Sequence, residues 1–340
     1  MSRRATWTPS IHCVDNKTAL HMTNKQTYSE LCKWNRHIPL FMTDWWMDAV
    51  CAGKQWDVLL SFDSDGNVRA ALPYLFRQRH RIRYIVMPQM TQIGGIWFRE
   101  DVCDTPEVVE TVCREFARQL DEMHLSYYYQ HFPLGSPAPA YMKQLGFTVR
   151  ERVTYRINDL SNMDNVINAF SKNKKRQLQK ALSLHADHQM QAEDFYLFHT
   201  QCMREQAKQI SYSREFLLVL ERKAARLQQC RFIAVKNADN ITLAAAFVVW
   251  DAQTMYYLIP CYSPVYKDSG AGALLVLEAL KLAREKGVAF DFEGSMIRGV
   301  ANHYKQFGST PTSYCSVERY YHWWFRIATA WNWFRQRKMR

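Results

Sequence analysis

The chain has 340 residues, 48% of them hydrophobic, which is enough for one large or two ordinary domains with a full core. No run of about 18 uncharged apolar residues occurs, and Met1-Ser2-Arg3-Arg4-Ala5-Thr6-Trp7 has no apolar stretch, so neither a spanning helix nor a secretory signal is expected. The formal charge of +12 suits polyanionic partners without choosing among nucleic acid, phosphorylated cofactors and an anionic membrane face; the nine scattered cysteines, odd in number and without a C-x-x-C pair, fit reduced thiols in a cytoplasmic protein and argue against a disulfide framework or a metal site.

Before about residue 30 the polar character predicts partial disorder. Helical matter lies between Trp34 and Ala52. Trp56–Phe62 and Val68–Phe76 form a hairpin around Asp63-Ser64-Asp65-Gly66-Asn67, and Ile82–Met87 is a further strand. Pro106–Met123 is a helix, Leu125–His131 a strand, Pro139–Leu145 a helix and Phe147–Ile157 a long strand. The second half repeats this order. Helical periodicity covers Glu193–Gln206 and Ser213–Gln229. Strands follow at Arg231–Val235, Ile241–Trp250 and Met255–Cys261, then a glycine loop, a helix, the strand Val288–Phe292, the helix Arg298–Phe307 and the strand Ser313–Tyr321. Tyr141-Met142-Lys143-Gln144-Leu145-Gly146 and Tyr304-Lys305-Gln306-Phe307-Gly308 each end a short helix on glycine before a strand. Self-similarity at half the chain length implies a duplicated domain with mixed sheet and helices on both faces.

The loop Lys267-Asp268-Ser269-Gly270-Ala271-Gly272 opens the helix that runs to Lys286 and stops on Gly287. A glycine turn at a helix N-terminus presents backbone N–H groups and the positive end of the dipole, which suits pyrophosphate; the competing reading is a turn that needs glycine for its conformation alone. In the first half, Gln92-Ile93-Gly94-Gly95 stands near the matching place but lacks the pattern, so a second cofactor site is not expected there.

The second half resembles the GNAT acyltransferases, whose loop of the form Gln/Arg-x-x-Gly-x-Gly/Ala holds an acyl-CoA pyrophosphate. Lys267 stands in the first place of that loop, and Gly270 and Gly272 keep theirs. Tyr304 and Gly308 match the later Tyr-x-x-x-Gly spacing, with Ser309 where Phe is frequent. Over about residues 30 to 320 the chain is similar to tandem-GNAT proteins of the Fem aminoacyl-transferase group. Ser171-Lys172-Asn173-Lys174-Lys175-Arg176, Tyr256-Tyr257-Leu258, Asp291-Phe292-Glu293-Gly294-Ser295-Met296 and Ala71-Leu72-Pro73-Tyr74 carry that likeness.

The resemblance implies an α/β fold of mixed sheet in two tandem GNAT-like domains: residues 1–157 with a degenerate loop, and residues 158–320 with the phosphate loop, followed by an aromatic and basic helix at 321–340. It implies an N-acyltransferase that moves an acyl group from acyl-CoA, bound by Lys267, Ser269, Gly270, Ala271 and Gly272, to a small-molecule or lipid-linked amine. No metal is implied. Fem enzymes instead use aminoacyl-tRNA and a peptidoglycan precursor. Here Tyr304-Lys305 is followed by only one residue before Phe307-Gly308, against two in that group, which disfavours tRNA. A third reading is an anion-binding module that has lost its chemistry.

Acyl transfer needs a neutral amine, a polarised carbonyl and a protonated leaving group. Glu293 is the candidate proton acceptor, or else a cap of the following turn. Tyr304 is the candidate acid, or else a half-buried aromatic. Lys305 is a candidate oxyanion or phosphate contact, or else a surface lysine; His303 is a weaker base. Lys172, Lys174, Lys175 and Arg176 crowd two helical turns and suit an anionic donor or acceptor, or simply face solvent. The C-terminal Trp and Arg residues suit peripheral contact with the inner membrane face, or a terminal helix docked on the core.

Overall fold

The computed structural model describes residues 22–51, 56–294, 296–323 and 325. The expected C-terminal helix at 321–340 lies almost wholly outside the described residues. Within them, no helix is long and apolar enough to cross a membrane.

The first half begins with α1 (Asn24–Trp34) and α2 (Asp44–Val50). α1 corrects the expectation of disorder before residue 30: Thr23 and Gln26 form a reciprocal capping box, and Tyr28 is fully buried with its hydroxyl donating to the Met42 carbonyl (2.7 Å). The antiparallel strands β1 (Trp56–Phe62), β2 (Val68–Arg79) and β3 (Ile82–Val86) follow. β4 (Trp97–Phe98), α3 (Glu100–Cys103) and α4 (Pro106–Glu122) lead to β5 (Tyr127–Phe132), then α5 (Ala138–Gln144) and β6 (Thr148–Ile157). Pro106 opens α4 where its missing N–H has no acceptor to lose, and Val109, Val112, Cys113, Phe116 and Leu120 line its buried stripe.

The second half begins with α6 (Met163–Asn168), α7 (Lys172–Lys180), β7 (His185–Asp187), α8 (Ala192–Glu205) and α9 (Arg214–Arg226). It continues through β8 (Cys230–Lys236), β9 (Thr242–Trp250), β10 (Thr254–Tyr262), α10 (Ala271–Lys286), β11 (Ala289–Asp291), α11 (Arg298–Lys305) and β12 (Thr310–Tyr320). Sequence periodicity missed the short elements β4, α3, α6 and β7, which hold too few residues to show a period.

All strands join one mixed sheet in the order β1-β2-β3-β5-β12-β6-β11-β10-β9-β8-β7, with β4 on β2. Only β3–β5 and β10–β11 are parallel, and each of these crossovers carries a helix, α4 or α10. The two halves therefore follow the same succession, and each then gives its last strand to the other. β6 leaves β5 to pair with β11, while β12 inserts between β5 and β6.

One face of the sheet packs on α4 and α5 in the first half and on α7, α10 and α11 in the second. The opposite face carries α1, α2, α8 and α9, and α2 packs against α9. Beside those helices the exchanged strands carry polar side chains. The register places Tyr127, Tyr129 and His131 of β5 opposite Tyr320, Glu318 and Ser316 of β12. Ser316, Tyr314 and Thr312 lie in turn opposite Arg150, Arg152 and Thr154 of β6.

Because neither half can complete its sheet alone, residues 22–157 and 158–340 expressed separately should lack cooperative unfolding transitions, and mixing them should restore one. Circular dichroism melts of the two fragments and of their mixture check this.

Candidate functional site

β10 and β11 run parallel for three residue pairs, ending at Tyr256–Asp291. β11 then stops, while β10 continues to Tyr262 along β9. A bulge sets Tyr257 and Leu258 against Val248 alone, between the pairs Tyr256–Val249 and Ile259–Phe247. The strands thus open a wedge beyond their carboxyl ends, at the N-terminus of α10, where open α/β sheets commonly bind ligands.

A pocket of ≈ 310 Å³ fills the outer part of this wedge, walled by Lys174, Gln177, Tyr262, Gly270, Gly272 and His303 among others. Gly270 caps α10 in the left-handed region at φ 85°. A Cβ there would lie 2.1 Å from the Gln177 carbonyl oxygen of α7, and one on Gly272 would lie 3.2 Å from the Tyr262 ring. Close packing therefore accounts for both glycines by itself. First-turn N–H groups of a helix lack intrahelical acceptors. The hydroxyl of Ser269 takes that of Ala271 (3.2 Å) while donating to the Tyr266 carbonyl. Lys267 lines the pocket from its exposed rim.

The basic run on α7 divides by helical phase. Lys172 and Arg176 point to solvent, and Lys175 Nζ donates to the Asn168 carbonyl (2.9 Å). Lys174 alone turns inward: it is 3% exposed, lies 4.5 Å over the Phe307 ring, donates to Gln177 Oε1 (3.2 Å) and faces His303 Nδ1 at 3.4 Å. Burial brings its ammonium down to about 8. Burial, and then the charge of Lys174, hold the His303 imidazole at about 4, so it is neutral and accepts from Lys174. No carboxylate pairs with Lys174 among the described residues. His303 thus serves this pocket more closely than its ranking by sequence indicated, whereas Gln177 and Tyr262 carried no signal in the sequence.

Tyr304 lies on the inner side of α11, stacked on Phe292 with ring centroids 4.7 Å apart, and burial with the charges of Glu293 and Asp291 pushes its phenol up to about 12. The Tyr257 and Tyr262 hydroxyls bond each other (3.1 Å), and both phenols are raised chiefly by burial and in part by Tyr304. These three phenols bridge the pocket and the end of β11. Lys305 is exposed and sits 5.8 Å from the Tyr155 ring centroid, away from the pocket lining.

At the end of β11, Asp291 is fully buried. Its Oδ1 accepts from Thr154, from Gln92 Nε2 (3.4 Å) and from the Glu293 N–H (2.7 Å), while Arg156 Nε lies 3.9 Å from Oδ2. Gln92 comes from the glycine-containing segment of the first half, so that segment supports the carboxylate cluster of the second. Glu293 is half-buried, yet its Oε1 is out of solvent and without a hydrogen-bond partner. Burial, then the neighbouring Asp291, raise its carboxyl well above the usual range. The Tyr304 and Tyr314 phenols are both raised chiefly by burial and in part by the charge of Glu293.

A shallower hollow of ≈ 420 Å³ lies on the edge strand β7, where Asp187 is already paired with Lys236 (2.6 Å). Among the described residues no group of three His, Cys, Asp or Glu is arranged to hold a metal.

Residues 166–306, which hold the wedge, the pocket and α11, match the family model described as an acetyltransferase (GNAT) domain. The chain carries a GNAT domain. The fold of the whole chain is similar to that of FemX, over 87% of this chain and 96% of that one, with a TM-score of 0.64 at 14% identity. It is also similar to a tandem GNAT protein from the clavulanic acid biosynthesis pathway (TM-score 0.50, 9% identity, 78% and 82% covered). A third likeness is to the C-terminal domain of a putative lysylphosphatidylglycerol synthetase from Agrobacterium fabrum (TM-score 0.50, 12% identity, 87% and 90% covered). No curated protein matches the chain. The GNAT and Fem-like resemblance read from the glycine loop and the Tyr304–Gly308 spacing thus holds, and at these identities the solved structures establish fold alone.

The raised carboxyl of Glu293 has a signed consequence for stability. A folded-state pKa above the unfolded value of 4.5 stabilises the protein below pH 4.5, and that contribution disappears as pH rises through the folded pKa. Glu293→Gln keeps the neutral shape at every pH. Its melting temperature should match the parent near pH 4 and exceed it at pH 8 by roughly 2 °C or more, since a shift of one unit is about 1.4 kcal/mol. Calorimetric melts of both proteins across pH 4–9 check this.

Proposed function

We propose that the chain is an N-acyltransferase that moves an acyl group from acyl-CoA to an amine. The observation that carries the reading is a set of groups gathered at the end of β10 and β11: Lys174, buried and without a carboxylate partner among the described residues, at the α10 loop, the phenols of Tyr257, Tyr262 and Tyr304, and a carboxyl, Glu293, whose Oε1 lacks a donor among those residues. Lys174 and the first-turn N–H groups of α10 fit a pyrophosphate, and the open wedge fits an extended acyl thioester.

An acceptor ammonium beside Glu293 stabilises the carboxylate, so the carboxyl gives up its proton to solvent as the amine binds. The ammonium then transfers one proton to Glu293, its nitrogen attacks the thioester carbon and the C–S bond breaks. Tyr304, protonated throughout the neutral range, gives its proton to the departing sulfur and recovers one from the new amide nitrogen. Lys305, the exposed Lys172 and Arg176, and the half-buried Lys175 have no part in this scheme, except as a basic rim that attracts an anionic donor. We read the chain further as two GNAT-like units, residues 1–157 and 158–320, supported by the matching succession of strands and helices in the two halves. The similarity to FemX and to the lysylphosphatidylglycerol synthetase domain makes envelope amines the first acceptors to screen.

The test is calorimetric titration with CoA and acetyl-CoA. Micromolar binding, at least tenfold weaker in Lys174→Met, is expected. Parent affinity should fall by up to tenfold per unit above pH 8 as Lys174 loses its proton, a dependence that Lys174→Met should lack. Absence of CoA binding to the parent would exclude this donor and leave aminoacyl-tRNA or another carrier. Once an acceptor is found, Glu293→Gln should lower kcat roughly 100-fold with donor binding intact. Unchanged turnover in both Glu293→Gln and Tyr304→Phe would contradict the assigned roles.

A further inference from the structure

Among the described residues, nine buried side-chain polar atoms lack a hydrogen-bond partner, and Gln92 Oε1, Arg152 Nε and Glu293 Oε1 are among them, near Arg156 Nε and Asp291 Oδ2, which face each other at 3.9 Å where the two halves meet. Buried polar atoms are ordinarily hydrogen-bonded, so those left over call for a partner.

Arg152 is the telling member. Three arginines of β6 share its polar face. Arg150 pairs with Glu318 (2.8 Å), and Arg156 lies against Asp291 and donates to Thr254 (3.0 Å). Arg152 makes no ion pair within 4 Å among the described residues. It is held instead by a neutral chain. His131 is kept unprotonated, near 4, chiefly by burial, so its Nδ1–H donates to the Gln92 carbonyl (2.7 Å) and its Nε2 accepts the Tyr129 hydroxyl proton (2.8 Å). The Tyr129 oxygen is then free to accept from Arg152 Nη1 (3.4 Å). The guanidinium is fixed in place without being neutralised. A half-buried cation left uncompensated is unfavourable unless an anion arrives.

The second observation is position. The strand register sets Tyr314 of β12 directly opposite Arg152 of β6, with the Tyr314 and His131 rings 5.6 Å apart, and the Tyr314 phenol also feels the charges of Glu293 and Asp291. The same face carries a stacked pair, Tyr127 and Tyr129, with rings 6.2 Å apart and 9° from parallel. Arg152 therefore stands on a polar, aromatic stretch of the sheet.

We propose that Arg152 is an acceptor-binding residue and that the acceptor is an amine carrying an oxyanion, either a carboxylate or a phosphate. The oxyanion binds at Arg152 across Tyr314 from the reacting nitrogen. The proposal rests on the acyltransferase reading for the identity of the ammonium site. The oxyanion site itself stands on the Arg152 guanidinium and the neutral chain that holds it.

The experiment uses the full chain without donor and two matched pairs of probes: lysine with cadaverine, and glucosamine 6-phosphate with glucosamine. Calorimetry should show at least tenfold tighter binding of the oxyanion-bearing member in one pair, and which pair responds identifies carboxylate or phosphate. Arg152→Met should reduce that member to the affinity of the partner that lacks the oxyanion, Arg152→Lys should retain part of the preference, and CoA affinity should stay unchanged in both. Equal binding within both pairs, or a preference that survives Arg152→Met, would overturn the proposal. Should the variants unfold, the Arg152 Nε–H resonance of the parent decides: it should shift with the oxyanion-bearing probe and not with its partner. A preference lost in Arg152→Met in a protein that fails to bind CoA would refute the donor and leave the oxyanion site standing.

Discussion

β12 pairs with nine residues of β6 on one edge and six of β5 on the other, so the strand that ends the second half completes the sheet of the first. Without it, β5 and β6 would each expose a row of unpaired backbone groups in the middle of the molecule, where no water could satisfy them. Everything at the site depends on this exchange. It sets Arg152 of β6 opposite Tyr314 of β12 and His131 of β5 beside both, and it lets Gln92 of the first half reach Asp291 of the second. The candidate site and the seam that closes the sheet share the same strands.

The groups along that seam are held away from their ordinary ionisation. Lys174 is drawn toward losing its proton and Glu293 toward keeping one, each chiefly through burial. Under the acyltransferase reading proposed above, a phosphate at Lys174 and an ammonium at Glu293 would each relieve the state that burial imposes, so binding energy would be spent where charge must be placed for reaction.

Much of the fold was legible because it is written locally. Asp63 and Gly66 fix the first hairpin, Asn237 fixes the turn between β8 and β9, and Gly270 and Gly287 bracket α10. The exchange was not, because strand order depends on which edges meet, and β6 and β12 have the same alternating character wherever they are placed. α1 was missed because only Tyr28 of its residues is buried, which leaves a polar helix with no apolar stripe to detect. At the site, the run Lys172 to Arg176 was visible as charge. Which of the four turns inward is set by the contact of α7 with the Gly270 turn, a tertiary fact. Arg152 and Gln92 lay in segments whose chemistry is ordinary until the sheet closes.

Backbone conformation at the end of β11 shows how tightly the acceptor end is specified. Glu293 adopts φ 62°, a left-handed conformation that costs a non-glycine residue about 1–2 kcal/mol, and Gly294 follows at φ 61°. A Cβ on Gly294 would lie 2.5 Å from the Val153 carbonyl of β6, so the chain must turn while pressed against the exchanged strand. An extended residue at 293 would carry the chain on along β6 and turn the carboxyl elsewhere. The strain at Glu293 is sustained by the Asp291 carboxylate, which accepts its N–H, and by the contact of Gly294 with β6. That contact exists only because β6 has crossed to the other half. The exchange of strands therefore does more than close the sheet: it supplies the surface against which the Glu293 turn is pressed.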